Sequence, residues 1–233
     1  GSIGDIAAGV YHKGLGSVAE RTFRPHVSCC RMTPDRQFIM VADLGIDQVK
    51  VYRFSENDKE LILVDTIPCD LESAPRHFIF SPDGKFIYLM YEVKNVIDVY
   101  TYETGKKAPV IEKIQTVSTT GKKKSQLTAA CAIRFSSDAK YLFCGNAGDD
   151  TVSIYKRDEK TGMLEQITCL PISGEYPKDI AVFPDDKHIA SFNHETGSIT
   201  FFKVDYEAGL LVMSSKEVKV DEPNCCAIVK VGK

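Results

Sequence analysis

Several features that would point to particular classes of protein are missing from this 233-residue sequence. No apolar stretch approaches the roughly 18 residues that a membrane-spanning helix requires, so the sequence predicts no membrane partner. The N-terminus has no basic segment followed by an apolar one, which makes the cytoplasm the expected location. A net charge of −3 does not favour a nucleic-acid partner. Helix-type periodicity is nearly absent, and this absence predicts an all-β protein.

The eight cysteines do not follow the spacing of a metal site or of a disulfide framework. There is no Cys-x-x-Cys motif and no cysteine–histidine cluster with zinc spacing, so no metal or other cofactor is predicted. Most of the cysteines lie in apolar strand patterns, as Cys144 does, which predicts buried free thiols in a reducing compartment. The adjacent pairs Cys29–Cys30 and Cys225–Cys226 are not expected to form disulfides, because neighbours on a strand face opposite sides.

One sequence phrase occurs four times along the chain. Its clearest copy is Ser-Pro-Asp-Gly-Lys-Phe-Ile-Tyr over residues 81–88, and the aspartates of successive copies are 48, 55 and 47 residues apart. These aspartates are Asp35, Asp83, Asp138 and Asp185. A pair of apolar or aromatic residues keeps the same spacings: Val51–Tyr52, Val99–Tyr100, Ile154–Tyr155 and Phe201–Phe202. A period in the high forties that contains several short strands is typical of a β-propeller.

The repeat predicts a single β-propeller domain over residues 1–233, built from blades of four short strands. Residues 25–221 hold four complete blades, residues 1–24 hold the end of an earlier blade and a linker, and residues 222–233 form a closing inner strand. Four blades with two partial ones do not close a ring. We therefore expect either a missing N-terminal segment or a second copy to complete it, with self-association through open blade edges as one possibility.

Equivalent positions of successive blades lie side by side around the channel of a propeller, so the repeat also predicts a functional surface. The positions six before each turn proline, or its serine equivalent, are Ser28, Arg76, Cys131 and Lys178. The positions nine after each turn aspartate are Leu44, Glu92, Ala147 and His194, and the residues preceding the last two are Asn146 and Asn193. Strand polarity places both sets near one mouth of the channel.

These residue types suit an acid–base reaction on an anionic substrate. Arg76 with Lys178 could hold a phosphate or carboxylate, and Glu92 could act as general base on a water molecule. His77 or His194 could protonate a leaving alkoxide, since imidazole titrates near neutral pH. Structural alternatives stand beside these roles: an ion pair between Arg76 and Glu92 within one blade, and a packed core position for His77.

The run Ala74-Pro-Arg-His-Phe-Ile-Phe-Ser-Pro-Asp-Gly-Lys, with Arg24-Pro-His-Val and Tyr176-Pro-Lys-Asp-Ile-Ala, resembles the seven-bladed lactonase family. That family includes bacterial 6-phosphogluconolactonases and fungal carboxy-cis,cis-muconate cyclases. The resemblance runs from about residue 5 to the end and covers the C-terminal two-thirds of the family pattern. It implies a ring of seven blades that hydrolyses a sugar lactone such as 6-phosphogluconolactone. The implied partner is a small anionic lactone or sugar acid.

The family pattern has a histidine, an arginine, a glutamate and a second arginine at its proposed catalytic positions. Arg76 and Glu92 match residue by residue, and His26 lies two residues before the histidine slot, which is Ser28 here. The second arginine slot is Ala147, and an acidic position of the third inner strand is Ala132. The resemblance therefore implies catalysis by Glu92, Arg76 and His26. The predicted substrate-binding residues are His77, Lys178, His194, Asn146 and Asn193.

Two other functions stay open on the sequence. Because Ser28, Ala132 and Ala147 depart from the family pattern, the chain could be a non-catalytic propeller that binds a small anionic ligand or a protein partner. A cyclase of the carboxymuconate type would use similar anion-binding groups, and the sequence does not separate it from a lactonase.

Overall fold

The computed structural model of this chain describes residues 4–17, 23–122 and 125–229. Within these ranges the chain forms seventeen β-strands and one short 3-10 helix, Leu44–Ile46. None of the helical structure in these ranges is long and apolar enough to cross a membrane. The prediction of an all-β fold made of four-stranded blades is confirmed.

The first two blades are antiparallel sheets whose strands follow one another in sequence order. The first blade consists of β1 (Val27–Met32), β2 (Ile39–Asp43), β3 (Gln48–Ser55) and β4 (Glu60–Pro68). The second blade consists of β5 (Pro75–Phe80), β6 (Phe86–Tyr91), β7 (Val96–Glu103) and β8 (Val110–Ser118).

The third and fourth blades repeat this order, and the fourth carries one additional short strand. The third blade consists of β9 (Ala129–Phe135), β10 (Tyr141–Ala147), β11 (Thr151–Arg157) and β12 (Leu164–Pro171). The fourth blade consists of β13 (Pro177–Val182), β14 (His188–Asn193), β15 (Ser198–Asp205), β16 (Leu210–Met213) and β17 (Val218–Lys219). Strands β16 and β17 both pair with β15, so the outer edge of this blade is formed in two pieces.

Burial falls from the second strand of a blade to its fourth. All six residues of β6 are buried, whereas every residue of β8 is exposed or half-buried. A strand that is covered on both faces reads as a continuous apolar run, and a strand at an edge alternates. The apolar phrase that follows each repeated turn is therefore the buried second strand of its blade.

Hydroxyl and carboxylate groups close the turn between the first and second strands. In the second blade the Ser81 hydroxyl donates to Asp83 at 2.6 Å and accepts from the Phe86 amide at 3.0 Å. Thr33 and Ser136 make the same two contacts in the first and third blades. Such bonds between a side chain and the backbone within a few residues stabilise a turn locally, which explains why this phrase recurs.

The turn of the first blade makes folding sensitive to acid. Burial alone would raise the pKa of Asp35, but hydrogen bonds from Thr104, Thr33, Gln37 and Tyr102 outweigh it and lower this pKa from 3.8. Since the pKa is lower in the folded state, the ionised carboxylate stabilises the fold above about pH 4, and this contribution is lost as the pH falls through the folded pKa.

We therefore expect Asp35→Asn to flatten the loss of stability of the chain below about pH 4. The measurement is the urea midpoint at a series of pH values from about 2 to 7 for both chains. Parallel profiles throughout this range would show that the Asp35 carboxylate is not linked to folding.

A second structural residue recurs with the same spacings, after the turn that follows the second strand. It is Asp47, Asn95, Asp150 and Gly197 in successive blades, with left-handed φ angles of 51°, 56°, 54° and 58°. Each backbone carbonyl accepts a hydrogen bond of 2.8–3.1 Å from the residue after the outer strand. Those donors are Cys69, Thr119, Ile172 and Val220. The same residue of each blade therefore joins the second turn to the end of the outer strand.

The side chain at this position also reaches the first strand of the next blade. The Asp47 carboxylate accepts from the Ala74 amide at 2.8 Å, and the Asp150 carboxylate accepts from the Tyr176 amide at 2.7 Å. An ionised acceptor makes a strong hydrogen bond, so each carboxylate ties two consecutive blades together.

The contacts divide the chain into two compact units. The first comprises residues 1–89 and 100–113, and the second comprises residues 90–99 and 114–233. Residues 4–17 and 224–229, which lie outside the four blades, form no strand because they have no ladder partner among the described residues. Their interpretation as parts of further blades, the single domain over 1–233 and self-association all stay predictions.

Candidate functional site

Three of the four predicted channel-facing positions are β-bulges. Ser28 is the additional residue between the pairs Val27–Asp43 and Cys29–Ala42. Lys178 occupies the same place in β13, and Cys131 occupies it in β9. A bulge turns a side chain away from regular strand alternation and is frequent beside active sites. Counting from the turn in the sequence therefore identified a position with a distinct backbone geometry.

In the first unit, both the amide and the carbonyl of His26 are hydrogen-bonded, and the residue itself is exposed. Its amide donates to the Asp43 carboxylate at 2.7 Å, and its carbonyl accepts from the Leu44 amide at 2.9 Å. Ser28, at the family's histidine slot, donates its hydroxyl to the Pro75 carbonyl at 2.9 Å. The Ser28 side chain therefore joins two strands, whereas the His26 side chain is accessible.

Arg76 and His77 are adjacent, half-buried residues of β5 in the first unit. Glu92, in the second unit, directly follows β6 and is 6% exposed. Its backbone carbonyl accepts from the Ala130 amide at 3.1 Å, which fixes the start of the turn that carries its side chain. Each of the three residues thus comes from a rigid strand or from a strand end, the kind of support that a reactive side chain requires.

Asp43 and His12 form a buried pair that the sequence did not reveal as a unit. His12 Nδ1 lies 2.6 Å from Asp43 Oδ2, with side-chain exposures of 4% and 0%. The His12 ring stacks on Tyr52 with a centroid separation of 5.9 Å. Burial, with a further contribution from the charge of Asp43, raises the pKa of the Tyr52 hydroxyl. No spacing rule links residues 12 and 43, so no sequence signal indicated this contact.

In the second unit, the fourth blade brings Lys178, Tyr176 and His194 together. The Lys178 ammonium lies 4.6 Å from the centre of the Tyr176 ring, and the His194 amide donates to the Tyr176 carbonyl at 3.1 Å. No carboxylate among the described residues forms an ion pair with Lys178. His194 Nδ1 is buried without a hydrogen-bond partner in the same described part of the chain. The cluster therefore combines a cation that has no carboxylate partner among the described residues with a buried imidazole nitrogen that makes no hydrogen bond within them.

Each of the two predicted asparagines is bound to its own blade and to the segment that precedes it. The Asn146 amide donates to the Thr119 carbonyl at 2.6 Å and to the Thr151 hydroxyl at 3.1 Å. The Asn193 amide donates to the Ser173 carbonyl at 3.0 Å and to the Thr200 hydroxyl at 3.0 Å. Both residues are fully buried, at 0% exposure. These bonds define a scaffold role, and their contact with substrate stays a prediction.

Asp179, which follows Lys178, makes hydrogen bonds with other residues. Its carboxylate accepts from Arg134 Nη2 at 2.7 Å, from the Ile180 amide at 2.8 Å and from the Cys226 amide at 3.1 Å. Burial and the neighbouring Asp179 raise the pKa of the Cys226 thiol to about 12. Asp179 therefore binds the C-terminal segment and is not a partner of Lys178.

The described residues contain no cluster of three or more histidine, cysteine, aspartate or glutamate side chains suited to a metal ion. What the candidate residues can supply is a set of cations, a carboxylate and imidazoles. Such a set can bind an oxyanion and transfer protons.

Comparison with known proteins places this chain in a family. The family model described as "Lactonase, 7-bladed beta-propeller" matches residues 1–228. The 6-phosphogluconolactonase of Bacillus subtilis is 28% identical over 225 residues, which cover 97% of this chain and 63% of that protein. The chain therefore spans less than two thirds of this relative.

Solved structures agree with the sequence match. The structure of a periplasmic gluconolactonase from Pseudomonas aeruginosa superposes with a TM-score of 0.84 at 27% identity, over 93% of this chain and 60% of that one. A structure from Bacteroides fragilis superposes with a TM-score of 0.81 at 32% identity, over 93% and 61% of the two chains. The chain thus belongs to the seven-bladed β-propeller lactonase family and is related to 6-phosphogluconolactonase.

Proposed function

We propose that the protein to which this chain belongs hydrolyses a sugar lactone with an anionic group, such as 6-phosphogluconolactone. The observation that supports this proposal is the cluster in the fourth blade. There a bulge directs Lys178 out of the regular strand, and its ammonium lies over Tyr176 without a carboxylate partner among the described residues. A cation kept available in this way suits a phosphate or carboxylate ligand.

In the proposed reaction Glu92 removes a proton from a water molecule, whose oxygen attacks the lactone carbonyl carbon. Arg76 stabilises the negative charge that develops on the carbonyl oxygen in the tetrahedral intermediate. The bond between the carbonyl carbon and the ring oxygen then breaks. The leaving alkoxide takes a proton from a histidine, for which we assign His26. The product is the open-chain sugar acid, and one water molecule is consumed.

The remaining predicted residues are assigned to substrate binding. Lys178 and His194 hold the anionic group, while His77 lies beside Arg76 on β5 and contacts the sugar. Asn146 and Asn193 support the strand ends from which the site is built. The equivalent positions of these residues in the repeat support these assignments.

The direct test is hydrolysis of 6-phosphogluconolactone and of δ-gluconolactone by the purified chain, followed by proton release with a pH indicator. Spontaneous hydrolysis is subtracted with a buffer blank at the same pH. A rate above the blank that is proportional to protein concentration supports the proposal. No rate above the blank, together with measurable binding of 6-phosphogluconate, would favour the non-catalytic propeller.

Lys178→Gln is expected to raise the KM for 6-phosphogluconolactone by roughly tenfold to a hundredfold, because it removes a hydrogen bond between charged groups. The kcat should change little, since the anionic group is bound equally in the ground and transition states. For the neutral δ-gluconolactone we expect no change. The matched control is Lys203→Gln, an exposed lysine of the same blade. An equal KM increase for both lactones would contradict binding of the anion by Lys178.

We also propose that the protein acts in the cytoplasm. All eight cysteines are free thiols, two of them in fully buried positions, as a reducing compartment permits. Since the Pseudomonas aeruginosa relative is a periplasmic protein, fractionation of cells that express the full-length protein is the appropriate test. Recovery in the periplasmic fraction would overturn this proposal without affecting the proposed reaction.

A further inference from the structure

The buried pair of His12 and Asp43 takes a place that asparagine takes in other blades. Asp43 and Asn193 end the second strand of their blades, and Asn146 is the penultimate residue of the second strand of its own. The two asparagines donate to a backbone carbonyl of the segment that precedes their blade, Thr119 and Ser173 respectively. An ionised aspartate cannot donate, so the first blade requires a different partner, and His12 supplies it.

Burial of a carboxylate costs free energy unless hydrogen-bond donors surround it. Asp43 has three: His12 Nδ1 at 2.6 Å, the His26 amide at 2.7 Å and the Gly45 amide at 3.1 Å. An asparagine at this position would meet the structural need shown by the third and fourth blades at lower desolvation cost. What the aspartate adds is a second acceptor oxygen: Oδ1 accepts from the His26 and Gly45 amides, and Oδ2 accepts from His12 Nδ1.

The His26 amide is bound differently from its counterparts in other blades. At the equivalent position, the Ala74 and Tyr176 amides donate to the aspartate of the preceding blade. The His26 amide donates instead to Asp43 of its own blade. The His12–Asp43 pair thus replaces the hydrogen bond from the preceding blade. It does so at the start of the first strand that carries a candidate catalytic histidine, His26.

The backbone that carries His26 has no room to shift towards the 3-10 helix Leu44–Ile46, which follows β2. A Cβ atom on Gly45 would lie 1.7 Å from the Arg24 carbonyl oxygen and 2.8 Å from the His26 nitrogen. The Arg24–His26 segment therefore lies directly on Gly45, with Asp43 and Leu44 binding the two sides of His26. Loss of the hydrogen bond from the His26 amide to Asp43 would therefore loosen the Arg24–His26 segment, which otherwise stays in close contact with Gly45.

We propose that His12 is a positioning residue for the reaction: it orients the Asp43 carboxylate, which fixes the His26 main chain and hence the place of the His26 imidazole. This inference rests on the proposed function, in which His26 protonates the leaving alkoxide. Because misplacement of a reacting group by about 1 Å can lower a rate a hundredfold, a residue that contacts no substrate can have a large effect on kcat.

The test is a double-mutant cycle between His12 and His26. His12→Phe keeps an aromatic ring against Tyr52 but loses the bond to Asp43. We expect it to lower kcat about tenfold when His26 is present and less than about twofold in a His26→Ala background. The control is His188→Phe, which breaks an exposed histidine–aspartate pair of the same 2.6 Å length and should leave kcat unchanged. An equal fall with and without His26 would overturn the proposal, because the effect would then be structural.

A measurement that does not need activity separates this inference from the proposed function. Amide hydrogen exchange of His26 should accelerate at least about tenfold in His12→Phe, while the amides of the fourth blade stay unchanged. Unchanged exchange at His26 would overturn the positioning role even in an active enzyme. If the chain has no lactonase activity but His12→Phe still accelerates this exchange, the proposed function is overturned. The role of His12 in fixing the His26 main chain through Asp43 would still stand.

Discussion

Glu92→Gln is expected to lower the kcat for lactone hydrolysis by about 10²–10⁴-fold, the usual contribution of a general base. Glutamine has nearly the same shape as glutamate but cannot take a proton from the attacking water. Glu92 is only 6% exposed, so a substitution of equal volume avoids a cavity and keeps the turn after β6 intact. The KM should stay within a few-fold, because the removed interaction acts in the transition state.

The matched control is Glu165→Gln, an exposed glutamate on the outer strand β12 of the third blade. Both variants should unfold at the same denaturant concentration as the unsubstituted chain, which shows that a lost rate is chemical. Equal rates for Glu92→Gln and the unsubstituted chain, after subtraction of spontaneous hydrolysis, would remove Glu92 from the mechanism.

The four blades could be predicted because the bonds that define them are local. The Ser81 hydroxyl, the Asp83 carboxylate and the Phe86 amide interact within six residues, so the chemistry of the turn is written as one contiguous phrase. The apolar run that follows each turn identifies the buried second strand in the same way. Counting from this phrase then reached the bulge positions, since the number of residues between turn and bulge is the same in the first, third and fourth blades.

The ties between blades could not be predicted, because their residue identities vary and their partners are distant. The position of Asp47 is asparagine in the second blade and glycine in the fourth, and what these residues share is a left-handed backbone conformation. Because several residue types can adopt the same backbone angle, such an angle is harder to recognise in a sequence than a position that requires one particular side chain. The His12–Asp43 contact joins positions 31 residues apart and occurs in one blade, so no repeat indicates it.

The departures from the family pattern have a structural meaning that the sequence did not show. Ala132 and Ala147 are 0% and 2% exposed and pack in a cluster with Phe143 and Ile180. Their small side chains are core residues of the third blade, where an arginine or a carboxylate would be buried at high cost.

Asp47→Ala is expected to lower the free energy of unfolding by about 3 kcal/mol, because it leaves several donors without their acceptor. The buried Asp47 carboxylate accepts from the Ala74 amide at 2.8 Å, the Glu72 amide at 2.9 Å and the Ser73 hydroxyl at 3.3 Å. All three donors belong to the segment that enters the second blade. Loss of the Asp47 carboxylate would also loosen the start of the strand that carries Arg76.

The repeat offers a graded comparison for this substitution. Asp150, at the equivalent position, accepts one such bond from the Tyr176 amide at 2.7 Å. Asp150→Ala should therefore cost only about 1 kcal/mol. The exposed Asp58, which binds the Ser55 hydroxyl, is the surface control, and its alanine variant should lie within about 0.5 kcal/mol of the unsubstituted chain. Urea unfolding of the three variants gives the order directly. If Asp47→Ala and Asp150→Ala were equally destabilised, the number of accepted bonds would not set the strength of these ties, and the backbone conformation at this position would have to account for it instead.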